Sequence, residues 1–146
     1  MRYMLLIYGC VRYPPGAADR ERKAAAVNAF VEMCAARGVL EAYDPLQAAD
    51  TAETVRVRED DTLVIDGPYA ETREQLGGYF ILDVRDRAEA VELARACPFA
   101  AEGAVEVRPI MDVPDLVRIG PAGRHGTRHA AGAANGDARG SGVGER

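Results

Sequence analysis

A chain of 146 residues with 48% apolar composition is sized for one domain around a packed core. Residues 1–117 hold 13 Lys/Arg against 21 Asp/Glu, whereas 118–146 hold 5 against 2. An acidic globular part lacks the clustered cations that bind a phosphate backbone, which excludes nucleic acid as its main partner.

The first element, Arg2 to Tyr8 (RYMLLIY), is a short apolar run that reads as a strand buried on both faces. Its apolar part is shorter than the core of a secretion signal and far short of a membrane span. The three cysteines, Cys10, Cys34 and Cys97, are odd in number and form no Cys-x-x-Cys pair, which fits reduced thiols. The expected address is therefore cytoplasmic, with no membrane partner. From Asp19 to Arg37 the period becomes helical: Asp19 is placed as N-cap, Val27, Phe30, Val31 and Cys34 share one face, and Gly38 stands at the C-terminal cap. Val39 to Tyr43 reads as a strand ending before Pro45, and Thr54 to Asp66 as a hairpin turning at Glu59-Asp60-Asp61.

Gly78 to Val84 is the next strand. Asp86 and Glu89 then have capping-box spacing at the head of a second helix, whose apolar face is Ala90, Leu93, Ala94 and Cys97 and which Pro98 closes. Ala104 to Ile110 alternates Val105 and Val107 against Glu106 and Arg108. Residues 118–146 carry eight of the fifteen glycines and both histidines, His125 and His129, and read as a disordered Gly/Ala/Arg-rich tail behind a folded domain of residues 1–117.

This order, two β-α-β halves around a hairpin, predicts an α+β chain folded as a ferredoxin-like plait, with both helices on one face of an antiparallel sheet. The first strand is apolar on both sides: Tyr3, Leu5 and Ile7 on one, Met4, Leu6 and Tyr8 on the other. The second side calls for a cover, and a second copy of the chain is the economical one, so a homodimer with sheets face to face is expected.

The stretch Asp66 to Val84 (DGPYAETREQLGGYFILDV), with Met1 to Gly9 before it and Ala104 to Met111 after it, resembles the DGPF branch of the YCII-related proteins over residues 1 to 112. Asp66-Gly67-Pro68-Tyr69 stands at the motif that gives the branch its name. The resemblance implies a dimeric α+β barrel, a bacterial cytosolic protein, and a regulatory setting beside extracytoplasmic-function sigma factors. Elsewhere in the family a His and an Asp in the intersubunit cleft are linked to catalysis. Here the only histidines are in the tail, so that pair does not carry over.

The residues of the motif admit two readings. Asp66 can close an Asx-turn, with Gly67 at positive φ and Pro68 fixing the exit, and Thr72 to Gln75 has the spacing of a capped helical turn ended by Gly77. The same connection carries Tyr69, Glu71, Arg73 and Glu74, whose charges suit the rim of a cleft. Glu106 and Arg108 turn toward the face a dimer buries, as an ion pair or as part of a polar pocket, with Arg56 and Arg58 on the hairpin and Tyr79 nearby. Asp66 and Glu106 are the groups placed for proton transfer, and Arg56, Tyr69, Glu71, Glu74, Tyr79 and Arg108 for holding a substrate. No metal or cofactor is expected, since imidazoles and clustered thiolates are missing from residues 1–117. Cys10, beside Arg12, is the one cysteine with a reactive-thiol reading. The expected function is a homodimer that binds a small polar molecule in an intersubunit cleft, with lyase- or isomerase-like acid-base chemistry. The competing expectation is a regulatory module without turnover whose partner is a sigma factor.

Overall fold

Alternation in the first strand sets the layers. In the computed structural model, which describes residues 1–9, 16–59, 61–70 and 72–113, β1 (Arg2–Gly9) buries Tyr3, Leu5 and Ile7 in the main core. β1 is followed by α1 (Ala17–Ala36), β2 (Leu40–Pro45), a 3-10 turn (Ala49–Thr51), β3 (Glu53–Arg58) and β4 (Asp61–Asp66). β5 (Gln75–Asp83), α2 (Arg87–Ala96), a 3-10 turn (Pro98–Ala101) and β6 (Ala104–Pro109) complete the order.

Among the described residues four strands form one antiparallel sheet in the order β2-β5-β1-β6, and β3 pairs only with β4. With the hairpin set aside, the chain is β-α-β twice over, the two halves interleaved so that β1 and β5 are central. This is the ferredoxin-like topology expected from the sequence. The hairpin, at Glu53 to Asp66, is where the alternation placed it.

Both helices cover one face of the sheet. Phe30 and Cys34 of α1 and Ala90, Leu93 and Ala94 of α2 meet Tyr3, Leu5, Ile7, Phe80, Leu82 and Val84. Leu5 and Leu82 are each 0% exposed. Phe80 anchors the β2 side: Phe30 meets it edge-on at 5.1 Å between ring centres, and Tyr43 stacks on it at 5.6 Å. Leu6 is also buried but lies outside this cluster, on the opposite face, where its cross-strand neighbours Tyr79 and Glu106 shade it.

The helix ends follow local chemistry with one shift. α1 begins at Ala17 behind Gly16, so Asp19 sits in its first turn, paired with Arg22 and opposing the helix dipole, rather than serving as the cap. Two alanines, the strongest helix formers, extend the helix past the position expected for Asp19. At its far end Gly38 takes φ +70°, and its N–H bonds the Ala35 carbonyl at 2.9 Å. Asp86 caps α2 as predicted, its carboxylate accepting from the Glu89 N–H at 2.9 Å. Glu89 in turn accepts from the Arg85 N–H at 2.9 Å, one residue outside the usual box.

The glycine pair does not end a helix. Residues 73–74 bend directly into β5, the Thr72 hydroxyl donates to the Glu74 carbonyl at 2.6 Å, and Gly77 falls at a bulge opposite Ile7 and Tyr8. Pairing of Gln75 and Leu76 with β1 overrides the local capping pattern. A Cβ on Gly78 would lie 2.9 Å from the Asp44 carbonyl oxygen, so close approach of β2 requires that glycine. Among the described residues no helix is long and apolar enough to cross a membrane. The expected tail at 118–146, and Cys10, Asp60 and Glu71, lie outside the described residues.

Truncating the sheet centre should be severe. Leu82→Ala is expected to cost about 2–5 kcal/mol in urea unfolding, whereas Asp86→Ala, which removes only a cap, should cost about 1 kcal/mol.

Candidate functional site

The hairpin leaves the sheet after β2 and returns at β5, and the space at its base is a cavity of about 700 Å³, within the range of small-molecule sites. Its walls are the end of β1 at Gly9, the connection from Leu46 to Asp50, the Asp66-Gly67-Pro68 turn, and Thr72 to Gly77 without Glu74. Among the described residues, two carboxylates, Asp50 and Asp66, and one guanidinium, Arg73, line it with Gln47 and Gln75.

Backbone contacts hold this cavity open. The Leu46 N–H donates to the Gly77 carbonyl at 2.8 Å, tying the exit of β2 to the bulge of β5. Gly67 takes φ +102°, its N–H donates to the Ala52 carbonyl at 2.6 Å, and its carbonyl accepts from the Thr54 hydroxyl at 2.8 Å. Positive φ explains the glycine. The Asp66 carboxylate takes no part: the Asx-turn expected of it does not form, and among the described residues the side chains of Asp50, Asp66 and Arg73 have no hydrogen-bond or ion partner. Three charged groups of both signs thus line one cavity without serving its fold.

The other residues singled out from the sequence fall into separate places. Tyr79, Glu106 and Arg108 are on the sheet face away from the helices. There the Tyr79 hydroxyl donates to Asp44 Oδ2 at 3.0 Å, and Arg108 Nε donates to Glu106 Oε1 at 2.8 Å. Arg2 reaches Glu41 on the same face, with Nε to Oε2 at 2.8 Å. Glu106 and Arg108 are therefore an ion pair within this chain. On the hairpin, the Arg56 guanidinium lies over the Tyr69 ring, 5.5 Å from its centre, outside the cavity. Arg58 shares a shallow outer surface of the hairpin with Arg56, and Glu74 is exposed.

Of the predicted set, then, Asp66 reaches the cavity, together with Arg73 from the same motif. Gln47 and Asp50 were missed: the connection that carries them has no periodicity or motif to mark it, and only the hydrogen bonds at Ala52 and Leu46 draw it beside Gly67 and Gly77.

Burial raises the Cys34 and Cys97 thiols above their ordinary values, which keeps both protonated core groups. Among the described residues no cluster of His, Cys, Asp and Glu is placed to hold a metal ion. The hydrogen bond to Asp44 holds the Tyr79 phenol above the usual tyrosine value. Since the protonated phenol is the donor, its contribution is complete below pH about 10 and is lost as pH rises through the raised value. Ultraviolet titration of tyrosinate should show Asp44→Asn lowering the midpoint of one tyrosine.

A family model, the YCII-related domain, matches residues 1–114. An uncharacterized protein of Rhizobium meliloti (strain 1021) is 43% identical over 61 residues, which make up 40% of this chain and 49% of the relative. The chain thus spans about half the length of that curated relative.

Proposed function

The chain belongs to the YCII-related domain family, and from that premise we propose that it binds a small polar molecule in the cavity beneath the Asp66-Gly67-Pro68 turn. The observation that carries this reading is the freedom of Asp66. Its turn is held by the backbone of Gly67 and the hydroxyl of Thr54, so the carboxylate is spare for a ligand. A charged group without a protein partner gains most from one in a ligand, where charge-assisted hydrogen bonds are the strong ones. Arg73 suits the carboxylate or carbonyl end of such a molecule, and Asp50 and Asp66 its amine or hydroxyl end.

Proton transfer at this site falls to Asp66, with Arg73 orienting the acceptor, an arrangement suited to lyase- or isomerase-like chemistry. Two copies pair through the sheet face that bears Met4, Leu6 and Tyr8. Its polar groups support the pairing, because Glu106 with Arg108, Arg2 with Glu41 and Tyr79 with Asp44 are already matched within the chain.

Thermal unfolding across a panel of amino acids, hydroxy acids and small amides tests the reading. A true ligand at a hundred times its Kd adds about 2.7 kcal/mol of stability and raises Tm by several degrees. Asp66→Asn and Arg73→Ala should each abolish that rise while moving the unliganded protein by no more than about 0.5 kcal/mol, as expected for exposed side chains. A wild-type Tm that stays fixed across the panel would overturn the proposal.

A further inference from the structure

The hairpin keeps its apolar side chains in water. Val55, Val57 and Val64 are 62%, 65% and 55% exposed, and Leu63 and Ile65 on the opposite face are also exposed. A lone two-stranded ribbon is marginal in water, and both of its strands are open edges. Within the described chain its base is tied down at Ala52, Thr54 and Gly67.

The register gives the two faces different characters. Val55 pairs with Val64 and Val57 with Thr62, so one face is uncharged along its middle, with Glu53 and Asp66 opposite each other at its base. Arg56, Arg58 and Asp61 lie on the other face with Leu63 and Ile65.

We propose that the β3–β4 hairpin is an intersubunit arm whose Val55, Val57 and Val64 face is laid against the sheet face of a second copy of this chain. The inference rests on the pairing of two copies through that face and adds to it what completes the interface. Three observations select a second copy as the occupant. The sheet face presents Met4 and Ile81 beside the Arg2–Glu41 and Glu106–Arg108 ion pairs, with Asp44 held by the Tyr79 hydroxyl, so it fits a surface that is apolar and uncharged along its middle, and this hairpin face is one. The sizes also match: by alternation about fourteen strand residues face away from the helices, short of the roughly 20–30 a side that a specific interface uses, and the hairpin supplies the remainder. Finally, one chain carries both surfaces, so a two-fold axis satisfies two of each at once. At about 3.4 Å per residue, a six-residue arm reaches roughly 20 Å, enough to cross four strands at about 4.8 Å spacing.

Sedimentation of the full chain over a dilution series tests the arm through two variants. Val55→Asp with Val57→Asp should raise the dimer Kd at least a hundredfold while leaving far-ultraviolet circular dichroism unchanged, and Ile81→Asp should do the same from the sheet side. In an otherwise wild-type chain, a photo-crosslinking benzoylphenylalanine at position 57, in mixed light and 15N-labelled protein, should join two chains through a β1 or β5 peptide. A dimer lost with Ile81→Asp but untouched by the valine changes, with crosslinks confined to one chain, would overturn the arm and leave sheet pairing standing. A wild-type chain that stays monomeric, or whose hairpin crosslinks only to a different protein, would overturn the arm and the pairing together. The ligand-dependent rise in Tm reads the cavity independently of either result.

Discussion

The structure depends on the double pairing of β1. Flanked by β5 on one side and β6 on the other, both antiparallel, it makes ladder hydrogen bonds along both edges and cannot be shifted without breaking the register of two ladders. Side chains then alternate by necessity: Tyr3, Leu5 and Ile7 enter the helix-covered core, and Met4, Leu6 and Tyr8 are left to the other face. The close fit at the end of β1 enforces the same register. A Cβ on Gly103 would lie 2.2 Å from the Tyr8 carbonyl oxygen, so β6 can begin where it does only with glycine there.

The hairpin is inserted at the point where the second half of the plait must start. Its departure after β2 and return at β5 bring two connections side by side, and the Leu46 to Gly77 bond joins them. The cavity is a by-product of that insertion. Because the Gly67 backbone and the Thr54 hydroxyl hold its roof, the carboxylate of Asp66 is released from structural duty. A rigid frame with spare charged side chains is what a binding loop requires. The same insertion leaves the valine face of the hairpin in water, so the cavity and the exposed hairpin face have a common structural origin.

Legibility in the sequence followed the range of the interaction concerned. Cys34, Leu93 and Ala94 could be assigned to the core because helical periodicity is local, and Asp86 as a cap because its partner is three residues away. Thr72 to Gln75 misled for the converse reason: a local capping pattern competed with strand pairing to β1, from residues more than sixty positions distant, and lost. Glu106 and Arg108 were placed on the correct face by alternation. Their separation from Asp66 was invisible, since no periodicity says which end of a sheet a hairpin folds toward.

The sequence by itself determined the two long helices and the strands, their order, and hence an α+β plait with an inserted hairpin, because these rest on contacts within a few residues and on two fixed periods. Only the tertiary structure decided which charged residues share a cavity and which neutralise each other. Asp66, Arg73 and Asp50 line one cavity without bonding each other, while Glu106 is taken by Arg108 and Tyr79 by Asp44. The physical reason is that a carboxylate's role depends on the groups a few ångströms away, and in this fold those groups are brought in by hydrogen bonds between segments distant along the chain.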